Sequence, residues 1–158
     1  MGELNQAKCD LIEQYMTQYG WNFNRGSEMG KWNMMIRSDV ALHELFITIG
    51  EWWILFVINP FVIGPKDPAM QFKLYKHLLL LNPDYCGMKY SLSTSGDVIF
   101  SVELPYDTPE LFQYEEFTQA IDVVFYHCNN HYPQIIQLAT DPNATSSYLQ
   151  PNTDVDIT

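Results

Sequence analysis

The pattern that most constrains the fold of this chain lies in residues 88–138. Residues 88–92 and 98–104 alternate apolar and polar side chains, and Ser95–Gly96–Asp97 between them is typical of a tight turn. Apolar residues then recur at helical spacing from Leu111 to Leu138, after a start signal at Asp107 or Thr108 followed by Pro109. The pattern predicts two antiparallel strands followed by a long helix, which Pro133 interrupts.

The residues before this block predict five further elements. A helix is expected over residues 3–19, because its apolar side chains have helical spacing and Gly20 ends it. Asp67 and Pro68 form a typical helix start, so a second helix is expected over residues 68–81. Strands are expected over 32–36, 45–49 and 52–58, with a polar loop over 22–30 and a hairpin turn at Gly50–Glu51.

The predicted order is therefore α-β-β-β-α-β-β-α. Two antiparallel groups of strands separated by a crossover helix favour an α+β fold, in which helices pack on one face of a five-stranded antiparallel sheet. Residues 1–139 are expected to form a single domain, because one domain is the usual number for a chain of 158 residues. Residues 140–158 are polar and are expected to form a flexible tail.

The distribution of charge excludes several classes of partner. The chain carries 19 acidic and 8 basic residues, a net charge of −11, and no Lys or Arg follows Lys89. Nucleic acids and anionic membranes both require clustered basic side chains, so neither is expected as a partner. The sequence begins without an apolar signal segment, and its three cysteines have no paired spacing. These features indicate a cytoplasmic protein.

Residues 89–105, which read Lys-Tyr-Ser-Leu-Ser-Thr-Ser-Gly-Asp-Val-Ile-Phe-Ser-Val-Glu-Leu-Pro, are similar to the YbjN-like bacterial proteins. The similarity lies in the Gly96–Asp97 turn, the strand end at Leu104–Pro105 and the helix end at Tyr132–Pro133. The order of elements over residues 3–139 resembles the type III secretion chaperone-like fold. The resemblance implies a small homodimeric protein, without enzymatic activity, that binds a protein or peptide client.

No group of residues has the pattern of a catalytic site or a cofactor site. His127 and His131 lie four residues apart on a predicted helix, as paired zinc ligands do, but a third ligand is not identifiable. Cys128 falls on the apolar stripe of the same helix, so packing is the preferred interpretation. We therefore expect neither metal nor cofactor, and no enzymatic activity.

The helix over residues 68–81 has apolar side chains around most of its circumference. A helix that covers one face of a sheet needs a single apolar stripe, so the wider distribution predicts a second covering surface. A two-fold interface would supply that surface, as the resemblance also implies. The predicted dimer interface consists of Met70, Phe72, Leu74, Tyr75 and Leu78.

The third predicted strand is apolar without alternation, so both of its faces are expected to be covered. Core packing explains one face, whereas the other could contact a subunit, the tail or an extended partner peptide. Trp52, Trp53 and Phe56 are the predicted partner-binding residues, because aromatic side chains dominate interface energetics. The alternative function is a small-molecule-binding regulatory domain with an aromatic pocket between the sheet and the helices.

Overall fold

The computed structural model describes residues 2–149. It contains four α-helices, α1 to α4, six strands, β1 to β6, and three 3₁₀ turns. In chain order these are α1 Gly2–Tyr19, β1 Asn24–Arg25, β2 Lys31–Arg37, β3 Leu42–Ile49, β4 Trp53–Val62, α2 Pro68–Leu81, a 3₁₀ turn Asn82–Asp84, β5 Met88–Leu92, β6 Val98–Pro105, a 3₁₀ turn Pro109–Leu111, α3 Tyr114–Asn130, α4 Tyr132–Thr140 and a 3₁₀ turn Ser147–Leu149.

The strands form a single antiparallel sheet in the order β1-β2-β3-β4-β6-β5. The α+β fold is thereby confirmed, with six strands instead of the expected five. The additional strand, β1, is two residues long and lies in the segment expected to be a loop. Two residues are too few to produce a recognisable alternation, so the pattern could not reveal this strand.

One face of the sheet and the helices enclose the hydrophobic core. Helix α3 packs against β6, α4 packs against β4, α1 packs against α3, and α2 packs against α4 and β5. Aromatic rings fill the layer between sheet and helices; Phe56 of β4 contacts Phe117 of α3, with ring centroids 5.8 Å apart. Phe56, Phe117 and Phe100 of β6 are all completely buried.

Strand β4 shows how the two faces of the sheet differ. Ile54, Phe56 and Ile58 point towards the helices and are buried, whereas Trp53, Leu55 and Val57 point the other way and are only half-buried. The second face is thus partly exposed, which differs from the expectation that both faces are covered. Pairing between β4 and β6 becomes irregular between Ile58 and Val62, around Pro60, which has no backbone N–H to donate.

The helix predicted after Pro109 begins later than expected. Residues 109–111 form a 3₁₀ turn, and α3 starts after Gln113, whose backbone N–H donates to the Glu116 carboxylate at 2.8 Å. The side chain of Glu116 thus satisfies a backbone donor at the helix start. The interruption at Pro133 is confirmed, because Pro133 lies in the first turn of the separate helix α4.

The segment after Thr140 packs against α2 as far as residue 149. Ala144 and Ser146 are buried, and the Ser146 hydroxyl lies 2.7 Å from Nδ1 of His77. Lys73 donates to the carbonyl oxygens of Pro142 and Ala144, at 2.6 and 2.9 Å. Residues 140–149 therefore belong to the packed domain and not to a free tail, and the remainder of the expected tail lies outside the described residues. Small side chains and backbone carbonyls make these contacts, so the sequence shows no periodic signal.

Candidate functional site

An open groove of ≈ 530 Å³ lies on the partly exposed face of the sheet, where β4, β5 and β6 approach the β3–β4 turn. We call it the tryptophan groove. Its apolar surface comes from side chains of the turn and of the end of β6, and its polar surface comes from the neighbouring strand positions. The lining residues are Trp52, Trp53, Gly87, Met88, Lys89, Ser101, Glu103, Leu104 and Pro105.

The two tryptophans occupy different positions in this groove. Trp52 lies in the β3–β4 turn with 60 % of its surface exposed. Trp53 is the first residue of β4, and its indole ring lies directly over Gly50, where a Cβ atom would overlap the ring. Glycine at position 50 thus allows the indole to pack along the turn. The result is one fixed aromatic ring beside one that is free to make contacts.

A buried lysine holds the turn that carries Trp52. The ammonium group of Lys8, on α1, donates to the carbonyl oxygens of Glu51 and Tyr106, the latter at 2.6 Å. The N–H of Tyr106 donates to the carbonyl of Trp52 at 2.8 Å, and its hydroxyl donates to the carbonyl of Lys8 at 3.0 Å. These bonds join the first helix, the turn and the end of β6, so the position of Trp52 is determined by the core beneath it.

The surroundings of Lys8 shift the pKa of its amine. The side chain is completely buried, and its Nζ lies 5.0 Å from the centre of the Tyr106 ring. Burial lowers the pKa of the amine, and the nearby carboxylates of Asp107 and Glu51 oppose this shift. Sequence reasoning missed Lys8, because a lysine on an amphipathic helix is ordinarily solvent-exposed.

The floor of the tryptophan groove carries one ion pair. Nζ of Lys89, the last lysine or arginine in the chain, lies 3.9 Å from a carboxylate oxygen of Glu103 on the adjacent strand. Both side chains are more than half exposed, so the pair contributes little to stability. It places one positive and one negative group beside the apolar surface, where each is available to polar groups of a bound segment.

The structure separates the predicted partner-binding residues. Trp52 and Trp53 line the tryptophan groove, whereas Phe56 is completely buried under α3. Phe56 as a partner-binding residue is therefore wrong. Successive strand residues point to opposite faces, and an entirely apolar strand gives no sign of which side chains point inward.

The predicted dimer-interface residues are also divided. Leu74 and Leu78 are buried in the core, so they are wrong as interface residues of a folded subunit. Phe72 is 66 % exposed, and Met70 is half-buried. Tyr75 is half-buried as well, and its hydroxyl donates to the carbonyl of Gly96 at 3.0 Å.

Helix α2 nevertheless has an exposed apolar surface. It consists of Phe72, Leu79 and Leu80, of which Leu79 is 71 % exposed. The wide apolar distribution seen in the sequence thus has two parts, a buried stripe that faces the core and an exposed strip that faces outward. The helical positions of Leu79 and Leu80 could have revealed this strip, if the buried side had been assigned to Leu74, Leu78 and Leu81.

His127 and His131 pack against each other, and each is within hydrogen-bond distance of a tyrosine hydroxyl. Their rings stack with centroids 4.8 Å apart. Nδ1 of His127 lies 2.8 Å from the Tyr90 hydroxyl, and Nε2 of His131 lies 2.9 Å from the Tyr85 hydroxyl. Across residues 2–149, no set of three or more His, Cys, Asp or Glu side chains is arranged to hold a metal ion.

Comparison with known proteins places the fold in one class. No known protein family and no curated protein matches the sequence significantly. Among solved structures, the fold is similar to that of type III secretion chaperone complexes. A chain of the heterodimeric ExoU–SpcU complex from Pseudomonas aeruginosa matches with a TM-score of 0.54 and 14 % identity, over 82 % of this chain and 98 % of that chain. The HopA1–SchA chaperone–effector complex matches with a TM-score of 0.53 and 16 % identity, over 78 % of this chain and 91 % of that chain.

A further match is YbjN from E. coli, with a TM-score of 0.55 and 14 % identity, covering 81 % of this chain and 88 % of YbjN. The resemblance that the sequence suggested is confirmed at the level of the fold. Within residues 2–149, no helix has the length and apolar character needed to cross a membrane.

Proposed function

We propose that this protein is a cytoplasmic, non-enzymatic binding protein that holds a segment of a client polypeptide in the tryptophan groove. The observation that carries the proposal is the exposure of Trp52 on a turn fixed from below by Lys8. A turn whose backbone is already fixed loses little conformational freedom when its exposed side chain binds, and tryptophan is enriched among the residues that dominate binding energy. One of the similar structures, HopA1–SchA, is a chaperone–effector complex, and this supports a polypeptide as the ligand.

The charge of the chain favours a client segment that is apolar and basic. The groove combines indole and proline surface with the Lys89–Glu103 pair, whose charges balance, and the whole chain has a net charge of −11. Such a field attracts a positively charged segment and repels an acidic one.

Replacing Trp52 by alanine is expected to weaken client binding by about 30-fold, the effect of losing a central aromatic contact. The client is first identified by affinity capture from the native host and mass spectrometry, and is then purified so that Kd can be measured by calorimetry.

Trp53→Ala is expected to weaken binding as well. Ile63→Ala, which removes another highly exposed apolar side chain at the far end of β4, is the matched control and should leave Kd unchanged. Equal affinity of the wild type and Trp52→Ala would refute this site.

We further propose that the protein acts as a homodimer that buries the exposed strip of α2. Phe72, Leu79 and Leu80 form an apolar surface on one helix, and a two-fold axis would bring the same strip of a second copy against it. Phe72 belongs to the interface expected from the sequence, whereas the exposed residues Leu79 and Leu80 take the place of the buried Leu74 and Leu78.

The double variant Phe72→Glu/Leu79→Glu is expected to be monomeric, because like charges would face each other across the two-fold axis. Light scattering coupled to size-exclusion chromatography should give twice the 18.4 kDa chain mass for the wild type and the single chain mass for the variant. Met35→Glu changes an exposed apolar residue on β2 and should remain dimeric. A wild-type protein that is monomeric at micromolar concentration would contradict the proposal.

A further inference from the structure

A second groove of ≈ 510 Å³ lies at the opposite end of β4 from the tryptophan groove, between α4 and the start of β3. We call it the histidine groove. Phe61 and Ile63 line it from the β4 side, Tyr132 and Ile136 line it from α4, and His43 contributes from β3. Its volume is within the range of about 300–1,000 Å³ that small-molecule sites occupy.

His43 is the unusual feature of this groove. Only 5 % of its surface is exposed, and its ring stacks on Phe61 with the planes 16° apart and the centroids 5.5 Å apart. The edge of Tyr132 packs against it at 4.8 Å. Nε2 is buried, and no described residue provides it with a hydrogen-bond partner.

All three buried histidines have an Nε2 atom without a hydrogen-bond partner among the described residues, but the other two are held at their second nitrogen. His77 is bonded to Ser146 and His127 is bonded to Tyr90, each through Nδ1, so protein groups fix the orientation of both rings. Stacking alone holds His43 in the described structure. A buried polar atom without a partner is unfavourable and is uncommon in native proteins, and here it belongs to a side chain that lines a groove.

The charge around the histidine groove selects for an uncharged ligand. No Lys or Arg is among its lining residues, so an anion would have no counter-charge there. The one acidic lining residue, Glu44, points to the other face of the sheet and accepts a hydrogen bond from Asn33 at 2.7 Å. Burial lowers the pKa of His43, so the ring is neutral at pH 7 and can donate or accept one hydrogen bond.

We propose that the histidine groove binds an uncharged small molecule that is part apolar and part polar, and whose hydrogen-bonding group pairs with His43. The apolar body of the ligand packs between Ile63, Tyr132 and Ile136, and its hydroxyl or amide group meets the imidazole. The site lies on the helix side of the sheet, so it does not depend on client binding at the tryptophan groove. The alternative function considered from the sequence, a small-molecule-binding domain with an aromatic pocket, would have its binding site in this groove.

Three probe molecules test the proposal: 4-propylphenol, propylbenzene and 4-propylbenzoate share one apolar body and differ in the polar group. Each is titrated into the wild-type protein while the histidine ring signals are followed by NMR at pH 7. We expect 4-propylphenol to shift the His43 signals and to bind about fivefold more tightly than propylbenzene, the ratio that one net hydrogen bond supplies. The benzoate should bind more weakly than the phenol.

Two variants separate the role of His43 from that of the groove. His43→Phe keeps an aromatic ring but removes both nitrogens, so its Tm should not fall, and the phenol and propylbenzene should bind equally well. Ile136→Trp fills the groove and should prevent binding of both. The proposal is overturned if the His43 signals do not respond to millimolar phenol, or if His43→Phe retains the fivefold preference.

Discussion

Replacing Lys8 by methionine is expected to lower the free energy of unfolding by about 3 kcal/mol, the cost of leaving buried carbonyl groups without a donor. Methionine has nearly the same shape and avoids the burial of a charge, which offsets part of the loss. The carbonyl groups of Glu51 and Tyr106 nevertheless lose their ammonium partner, and the latter bond is buried. The net effect is therefore a loss of stability.

Urea unfolding followed by circular dichroism measures this loss. Lys66→Met is the matched control, because Lys66 is exposed in the loop before α2 and its replacement should change the free energy of unfolding by less than about 0.5 kcal/mol. If the Lys8→Met protein were as stable as this control, the β3–β4 turn would not depend on the buried ammonium group.

Acidification from pH 7 to pH 5 is expected to lower the free energy of unfolding by about 4 kcal/mol, through His77 and His127 together. Burial lowers the pKa of His77 to about 4 and that of His127 to about 3, and the neighbouring His131 reinforces both shifts. In the unfolded chain each histidine takes up a proton below about pH 6.5, whereas the folded protein keeps both rings neutral. The contribution of these rings to stability is therefore present above pH 6.5 and is lost as the pH falls towards the folded values.

The neighbours of the two rings contain few groups that could offset this effect. His77 contacts Ser146 and Tyr148, and His127 contacts Tyr85, Tyr90, Phe100 and Tyr126 in addition to His131. Asp84 acts on His131 and opposes the effect of burial on its pKa. The Asp84 carboxylate also accepts the hydroxyl of Tyr148 at 2.6 Å.

Urea unfolding at pH 7.5, 6.5, 5.5 and 5.0 in constant salt measures the effect. His127→Phe should lower the number of protons taken up on unfolding by close to one, and so lower the slope of the free energy of unfolding against pH. This reduction is expected even though Tyr90 loses its partner and the variant is less stable at pH 7.5. An unchanged slope between pH 6.5 and pH 5.0 in this variant would show that His127 is not the group responsible.

Local signals in the sequence predicted most of the fold. Asp67 and Pro68 marked the start of α2 correctly, and the N–H of Met70 donates to the Asp67 carboxylate at 2.9 Å. Alternation located β5 and β6, because most side chains on the helix side of each strand are buried and most of those on the other side are at least partly exposed. Pro109 misled the assignment of α3, since a proline that suits a helix start suits a 3₁₀ turn equally well.

The candidate sites could be predicted only in part. Trp52 was identifiable as a large aromatic residue near a turn, and the structure places it at the surface. The roles of Lys8 and His43 were not identifiable. The partners of Lys8 are backbone carbonyls 43 and 98 residues away, and His43 acquires its surroundings from β4 and α4. Contacts of this kind arise from the tertiary fold and leave no spacing in the sequence.

The bond between Lys8 and Tyr106 has a consequence for how the protein is made. It joins residues separated by 98 positions in the chain, so it cannot form until β6 has left the ribosome. A nascent chain that ends before this point can pair β3 with β4 but cannot fix the turn that carries Trp52. The tryptophan groove also needs Leu104 and Pro105, so a client can be held there only after synthesis has passed the end of β6.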